Sequence, residues 1–169
     1  MQLLLNEVLQ KISNAKTKAE KIKLLQEYNT PALRSILIAN FDESVVSMLP
    51  DGDVPYKANE APEDTEHTKL LHEYRKLYLF FKGGANISQN RRETLFIQLL
   101  EGLHKGEAEV LCLMKDKKIG KRWKITKQCV EEAYPQIKWG GRSWVLESFI
   151  RIVILPLQKI RHYLILHIL

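Results

Sequence analysis

From Leu4 to Tyr134 the apolar residues recur at three- and four-residue spacing, and capping signals punctuate the runs. That is the period of helices with one buried face; the alternation that marks a half-buried strand is missing. The expected fold is therefore all-α, a compact multi-helix bundle of about six to eight helices. The chain's 169 residues, 45% hydrophobic and 27% charged, are enough to bury a core without disulfides or metal.

The punctuation places the helices. Leu4, Val8, Leu9 and Ile12 form the first apolar stripe, which fades at Ser13–Asn14. Thr17 with Glu20 three residues on has capping-box spacing and opens a second helix with Ala19, Ile22, Leu25 and Tyr28 inward. Asn29-Thr30-Pro31 reads as a stop, a cap and a first-turn proline, and leads into Leu33, Ile36, Leu37 and Asn40. Asp42 is expected to cap a further turn through Val45, Val46 and Leu49. Thr68 to Phe81 reads as one helix, with Leu70, Leu71, Tyr74, Leu77, Tyr78 and Phe81 on its stripe, ended by Gly83–Gly84. Ser88 caps a helix from Gln89 to Leu103, Gly106 to Met114 forms a short one, and Thr126 caps the last, with Val130, Ala133 and Tyr134 inward.

Charge is segregated between these blocks. Residues 51–66 hold six acids against Lys57 and include two prolines, which reads as a polar loop joining two helical halves. Residues 115–127 hold seven basic residues against Asp116. The net charges are −5 and +6, within a chain that carries +6 overall. A basic excess of that size is compatible with nucleic acid only where it is concentrated on one surface.

Searches for catalytic signatures come back empty. The chain has no phosphate-binding GxxxxGK[ST] loop, no GxGxxG, no HExxH and no GxSxG. His67 and His72 lie five apart, a poor spacing for two ligands on one helix face, and Glu101 reads as an exposed helix residue. Cys112 and Cys129 fall within amphipathic patterns and read as core thiols, without metal-ligand spacing. The expectation is a protein without catalytic residues, metal or cofactor.

The stretch with physical content runs from Glu107 to Tyr134. An apolar helix ends in Met114-Lys115-Asp116-Lys117-Lys118-Ile119-Gly120, and another helix begins near Thr126. A glycine between two helices permits close approach to a phosphate, and the free N–H groups at a helix start can bind one. Lys115, Lys117, Lys118, Lys121, Arg122, Lys124 and Lys127 would surround that point together with Gly120. Such an arrangement contacts the double-stranded DNA backbone with little sequence specificity.

This run resembles the hairpin motif in the all-helical N-terminal DNA-binding domain of phage-type ATP-dependent DNA ligases. There the motif grips the duplex backbone across the minor groove. Leu4-Asn6-Glu7, Lys16-Thr17-Lys18 and Leu24-Leu25 resemble the start of that domain, and Val130 to Pro135 stands where it ends. The resemblance implies a DNA-binding module over residues 1–137. It departs from the family in lacking the lysine-x-aspartate-glycine signature, which excludes a self-sufficient ligase. Lys115 also stands where the family prefers arginine, and the acidic loop is foreign to its pattern. Asp53-Val54-Pro55-Tyr56, Glu66-His67-Thr68 and Leu95 to His104 resemble small proteins of T4-like, often cyanobacterial, phages. That likeness implies a place in the cytoplasm of an infected host cell and phage replication or repair proteins as partners, but no activity.

Residues 138–169 form a separate, atypical hydrophobic tail. Arg151, Lys159 and Arg161 fall within its last twenty residues, so a transmembrane segment is not expected and packing on the domain is. The abrupt change after Trp139-Gly140-Gly141-Arg142-Ser143 suggests an added or frame-shifted terminus. Two functions follow: a non-catalytic DNA-binding module, or a phage structural or protein-interaction protein that does not bind DNA.

Overall fold

The capping residues act as their spacing predicts. In the computed structural model, which describes residues 2–141 except 63, 64 and 66, Thr17 Oγ1 accepts the N–H of Glu20 at 3.2 Å. The Glu20 carboxylate in turn accepts the N–H of Thr17, completing the capping box. Thr30, Ser88 and Thr126 likewise accept the N–H three residues on. Each satisfies a donor that the helix start leaves free.

The helices so bounded are α1 (Leu5–Asn14), α2 (Lys18–Glu27), α3 (Pro31–Phe41), α4 (Leu70–Glu73), α5 (Gln89–Gly102), α6 (Lys105–Lys115), α7 (Ile119–Trp123) and α8 (Lys127–Ala133). A 3₁₀ segment, Tyr74–Phe80, follows α4 directly. The fold is mostly helical, as the periodicity requires. Among the described residues only isolated bridges join extended backbone: Ser47 with Phe81, Asn59 with His104 and Thr68 with Leu103. No described helix is long and apolar enough to cross a membrane. The tail reading for residues 144–169 falls outside the described residues.

α6 sits at the centre. It packs on α1, α3 and α5, while α2 lies along α8. Leu9, Ile12, Leu25, Leu33, Ile36, Leu37, Leu100 and Leu111 are fully buried between these elements. Tyr134 closes the α2–α8 contact: its hydroxyl donates to the Leu25 carbonyl, and burial pushes its pKa up to about 12.

Two expected helices take another form. Residues 42–49 are not helical. The Asp42 carboxylate accepts both the N–H and the hydroxyl of Ser44, at 2.9 and 2.7 Å, which turns the chain out of α3. Extended backbone follows, with the Met48 N–H donating to Phe80 O and the Lys82 N–H to Val46 O. The second departure is Thr68–Phe81, which is α-helical for only one turn. The remainder winds with three residues per turn, aligning Tyr74, Leu77 and Phe80 on the buried side and leaving Tyr78 exposed. Phe80 meets Phe96 edge to face at 5.0 Å between ring centroids. Packing against α5 overrides the 3.6 period of the local sequence.

Among its described residues the acidic segment holds only the isolated bridge at Asn59, and it is tied down. The Lys57 N–H donates to the Glu101 carboxylate at 3.1 Å, and the Gly52 N–H to that of Asp116 at 3.3 Å. Val54 and Tyr56 are half-buried against the core.

Candidate nucleic-acid interface

A five-residue helix, α7, occupies the middle of the basic run where a glycine turn was expected. It opens because Lys117 turns the backbone out of α6 with φ +56°, and it closes on Lys124 at φ +52°. These left-handed positions are held by lysines. Gly120 itself lies inside the helix and is not left-handed. The value of its missing side chain is internal: a Cβ there would stand 2.7 Å from the Ile125 carbonyl oxygen and 3.2 Å from the Phe41 ring. Gly120 therefore admits the returning backbone of its own chain.

The basic residues divide by what they touch. Lys115 is buried, and its ammonium donates to Pro50 O at 2.9 Å, Gly52 O at 2.8 Å and Asp116 at 2.6 Å. Lys117 donates to the Asp42 carbonyl at 2.7 Å. Burial lowers the pKa of Lys117, a shift that Asp42 and Glu43 oppose. Both ammoniums are engaged with the protein's own carbonyls, fastening the acidic loop and the end of α3 to the hairpin. Asp116 serves the same purpose through Lys115 and Gly52.

Lys117 as a residue stays exposed, and the remaining cations face solvent as well. Lys118, Lys121, Arg122, Lys124 and Lys127 are exposed. Arg122 is paired with Glu109 at 3.0 Å and lies over the Trp123 ring, 5.1 Å from its centroid. Lys127 stands 3.9 Å from Glu131 and 5.2 Å from the Trp139 ring. Lys118 reaches Asp116 only at 4.0 Å. Among the described residues, Lys121 and Lys124 have no carboxylate within ion-pair distance. The α7 turn thus presents Lys118, Lys121 and Lys124 together.

A further cation joins them that the motif does not contain. Lys21 of α2 donates to the Lys124 carbonyl at 2.6 Å, and Lys18, one turn earlier, pairs with Glu132 of α8 at 2.6 Å. The local signal was the alternation Lys16, Lys18, Lys21, Lys23 beside an apolar stripe. Only the packing of α2 on α8 carries it to the hairpin.

No group of three or more His, Cys, Asp or Glu able to hold a metal occurs among the described residues. Cys112 is half-buried and burial pushes its thiol up to about 11, so it is protonated at neutral pH. His67 and His104 meet edge on at 5.4 Å between ring centroids; His67 Nε2 bonds the Ala61 carbonyl, and His104 Nδ1 accepts the Gly106 N–H.

Residues 8–121 match a family described as a family of unknown function (DUF6433), and the chain belongs to it. No curated protein and no solved structure matches.

Proposed function

For this member of a family of unknown function, we propose a non-catalytic module that contacts duplex DNA through its phosphate backbone. The contact surface is the α7 turn: Lys118, Lys121 and Lys124, with Lys21 beside them and Arg122 at the edge. The observation that carries the reading is the exposure of Lys121 and Lys124, without an acidic partner among the described residues, on one turn beside the exposed Lys118. A small cluster of exposed lysines attracts phosphates by charge, a contact that carries no sequence information. Lys115 and Lys117 take the supporting role: they hold the loop and α3 against the hairpin. The resemblance of Met114 to Gly120 to the ligase hairpin points the same way, and phage replication or repair proteins are its fitting partners in an infected cell.

A mobility-shift titration on plain and nicked duplexes at two salt concentrations tests the reading. The affinity should fall steeply with salt, with a slope near −0.9 per phosphate contacted, and depend little on sequence. Binding no stronger than that of another basic protein of this size would favour the alternative, a phage structural or protein-interaction role.

A further inference from the structure

The tip of the acidic segment is fastened beside the start of α7. Gly52 turns the chain there with φ +91°, a backbone conformation that suits glycine. Both polar groups of its backbone are taken up: the carbonyl accepts the Lys115 ammonium at 2.8 Å, and the N–H donates to Asp116 Oδ2 at 3.3 Å. Pro50 O accepts the same ammonium at 2.9 Å. On either side of Gly52 stand Asp51 and Asp53. Both are exposed, and neither carboxylate has an ion pair or hydrogen bond among the described residues. Asp53 is close enough to the Cys112 thiol to add to the upward shift that burial begins there.

Asp116 Oδ2 is also the oxygen that the Lys118 ammonium reaches at 4.0 Å. One carboxylate oxygen thus joins the acidic tip to the exposed Lys118. Neighbouring Cα atoms are about 3.8 Å apart, so the two unpaired anions stand about one screening length, ~8 Å at physiological salt, from that ammonium. Lys118 and Lys124 flank α7 at its two ends, about 9 Å of helix rise apart. At the Lys124 end lies Lys21 of α2, whose ammonium donates to the Lys124 carbonyl at 2.6 Å. The turn therefore runs from two unpaired anions at one end to an added cation at the other.

Resting on the reading of α7 as a phosphate-contacting turn, we propose that Asp51 and Asp53 form an electrostatic stop. They repel a phosphate backbone from the Lys118 end. The duplex footprint then ends at Lys118 and extends over Lys121 and Lys124 toward α2. The Gly52 anchors keep the stop in place, whereas a free loop would swing its carboxylates away from an approaching polyanion.

Mobility-shift titrations with a plain duplex, at low and at physiological salt, test this. D51N/D53N should bind several-fold more tightly than the wild type at low salt, and the difference should shrink as salt rises. The control for net charge is E60Q/E73Q, which removes two carboxylates near the opposite end of α6. Glu60 follows Asn59, which is bridged to His104, and Glu73 ends α4, whose Leu70 N–H bonds Glu107. The gain in D51N/D53N should disappear in a Lys118→Ala background and persist in a Lys21→Ala background. Circular dichroism checks that helicity is unchanged in each variant. Wild-type affinity in D51N/D53N, or a gain no larger than that of E60Q/E73Q, overturns the stop and leaves the α7 contact standing. A gain that survives Lys118→Ala overturns it in the same way. Absence of duplex binding in the wild type and in every variant removes the DNA reading itself, and the stop with it.

Discussion

The side-chain oxygen of Asn40, on the last turn of α3, accepts the backbone N–H of Ile119 at 3.1 Å in the buried interior. That N–H is the first of α7, so a residue 79 positions earlier caps the helix that carries the exposed lysines. In the sequence Asn40 sits in line with Leu33, Ile36 and Leu37, a polar residue on an apolar stripe. Its polarity has a reason: α7 has no side-chain cap of its own.

Asn40→Leu leaves that buried N–H without an acceptor and should lower the unfolding free energy by about 1–3 kcal/mol in a urea titration. The same variant should weaken duplex binding, because α7 frays. Stability equal to the wild type would mean that α7 positions itself without α3.

Glu107 is buried, and its two carboxylate oxygens accept the N–H groups of Leu5 and Leu70 at 3.1 and 3.0 Å. Burial raises its pKa above the usual 4.5, and those two N–H groups, His104 and Lys69 pull it down by less. The folded state therefore keeps this proton to higher pH than the unfolded chain does. The stability this contributes is full below about 4.5 and is lost as pH rises through the raised value. Relative to Glu107→Gln, the wild type should lose unfolding free energy between pH 4 and pH 7. A wild-type advantage that grows with pH would reverse the assignment.

Lys115 and Lys121 should separate folding from binding. Lys115→Met strips Pro50 O, Gly52 O and Asp116 of a buried ammonium and should cost about 2–4 kcal/mol of stability. Lys121→Ala, on the surface, should leave stability within about 0.5 kcal/mol. It should reduce the salt dependence of duplex binding by about one phosphate. Stability readouts that exchange places between the two variants would contradict the burial of one and the exposure of the other.

Gly120→Ala places a Cβ 2.7 Å from the Ile125 carbonyl oxygen, a backbone atom that cannot step aside, and should destabilise by about 1–3 kcal/mol. Lys124→Gly acts in the opposite direction. It relieves a left-handed lysine at the end of α7 and should add up to about 1 kcal/mol. A thermal melt ranks the two. If Lys124→Gly lowers the midpoint, its left-handed backbone is not a cost to the fold.

Much of the helical framework was legible because its signals are local. Thr17 with Glu20, Thr30 with Pro31, Ser88 and Thr126 each satisfy donors within three residues, so spacing alone located four helix starts. Where a local preference met a tertiary demand, the reading failed. Asp42 reads as a cap but turns the chain through Ser44, and the Leu70 stripe reads as one helix but rewinds to set Tyr74, Leu77 and Phe80 against α5.

The sequence by itself determined the all-helical class, most element boundaries and the concentration of positive charge between residues 115 and 127. These depend on periodicity, caps and composition, which act over a few residues. Only the tertiary structure decided which of those cations are engaged by the protein's own carbonyls and which are left to solvent. Lys115 is buried with its ammonium on Pro50 O and Gly52 O, and Lys117, though exposed, turns its ammonium back onto the carbonyls of Ala39 and Asp42, while Lys121 and Lys124 remain outside and are joined by Lys21. A lysine reads the same in either setting. Its role depends on the carbonyls and carboxylates that distant segments bring to it, and burying an ammonium is tolerated only where they meet it.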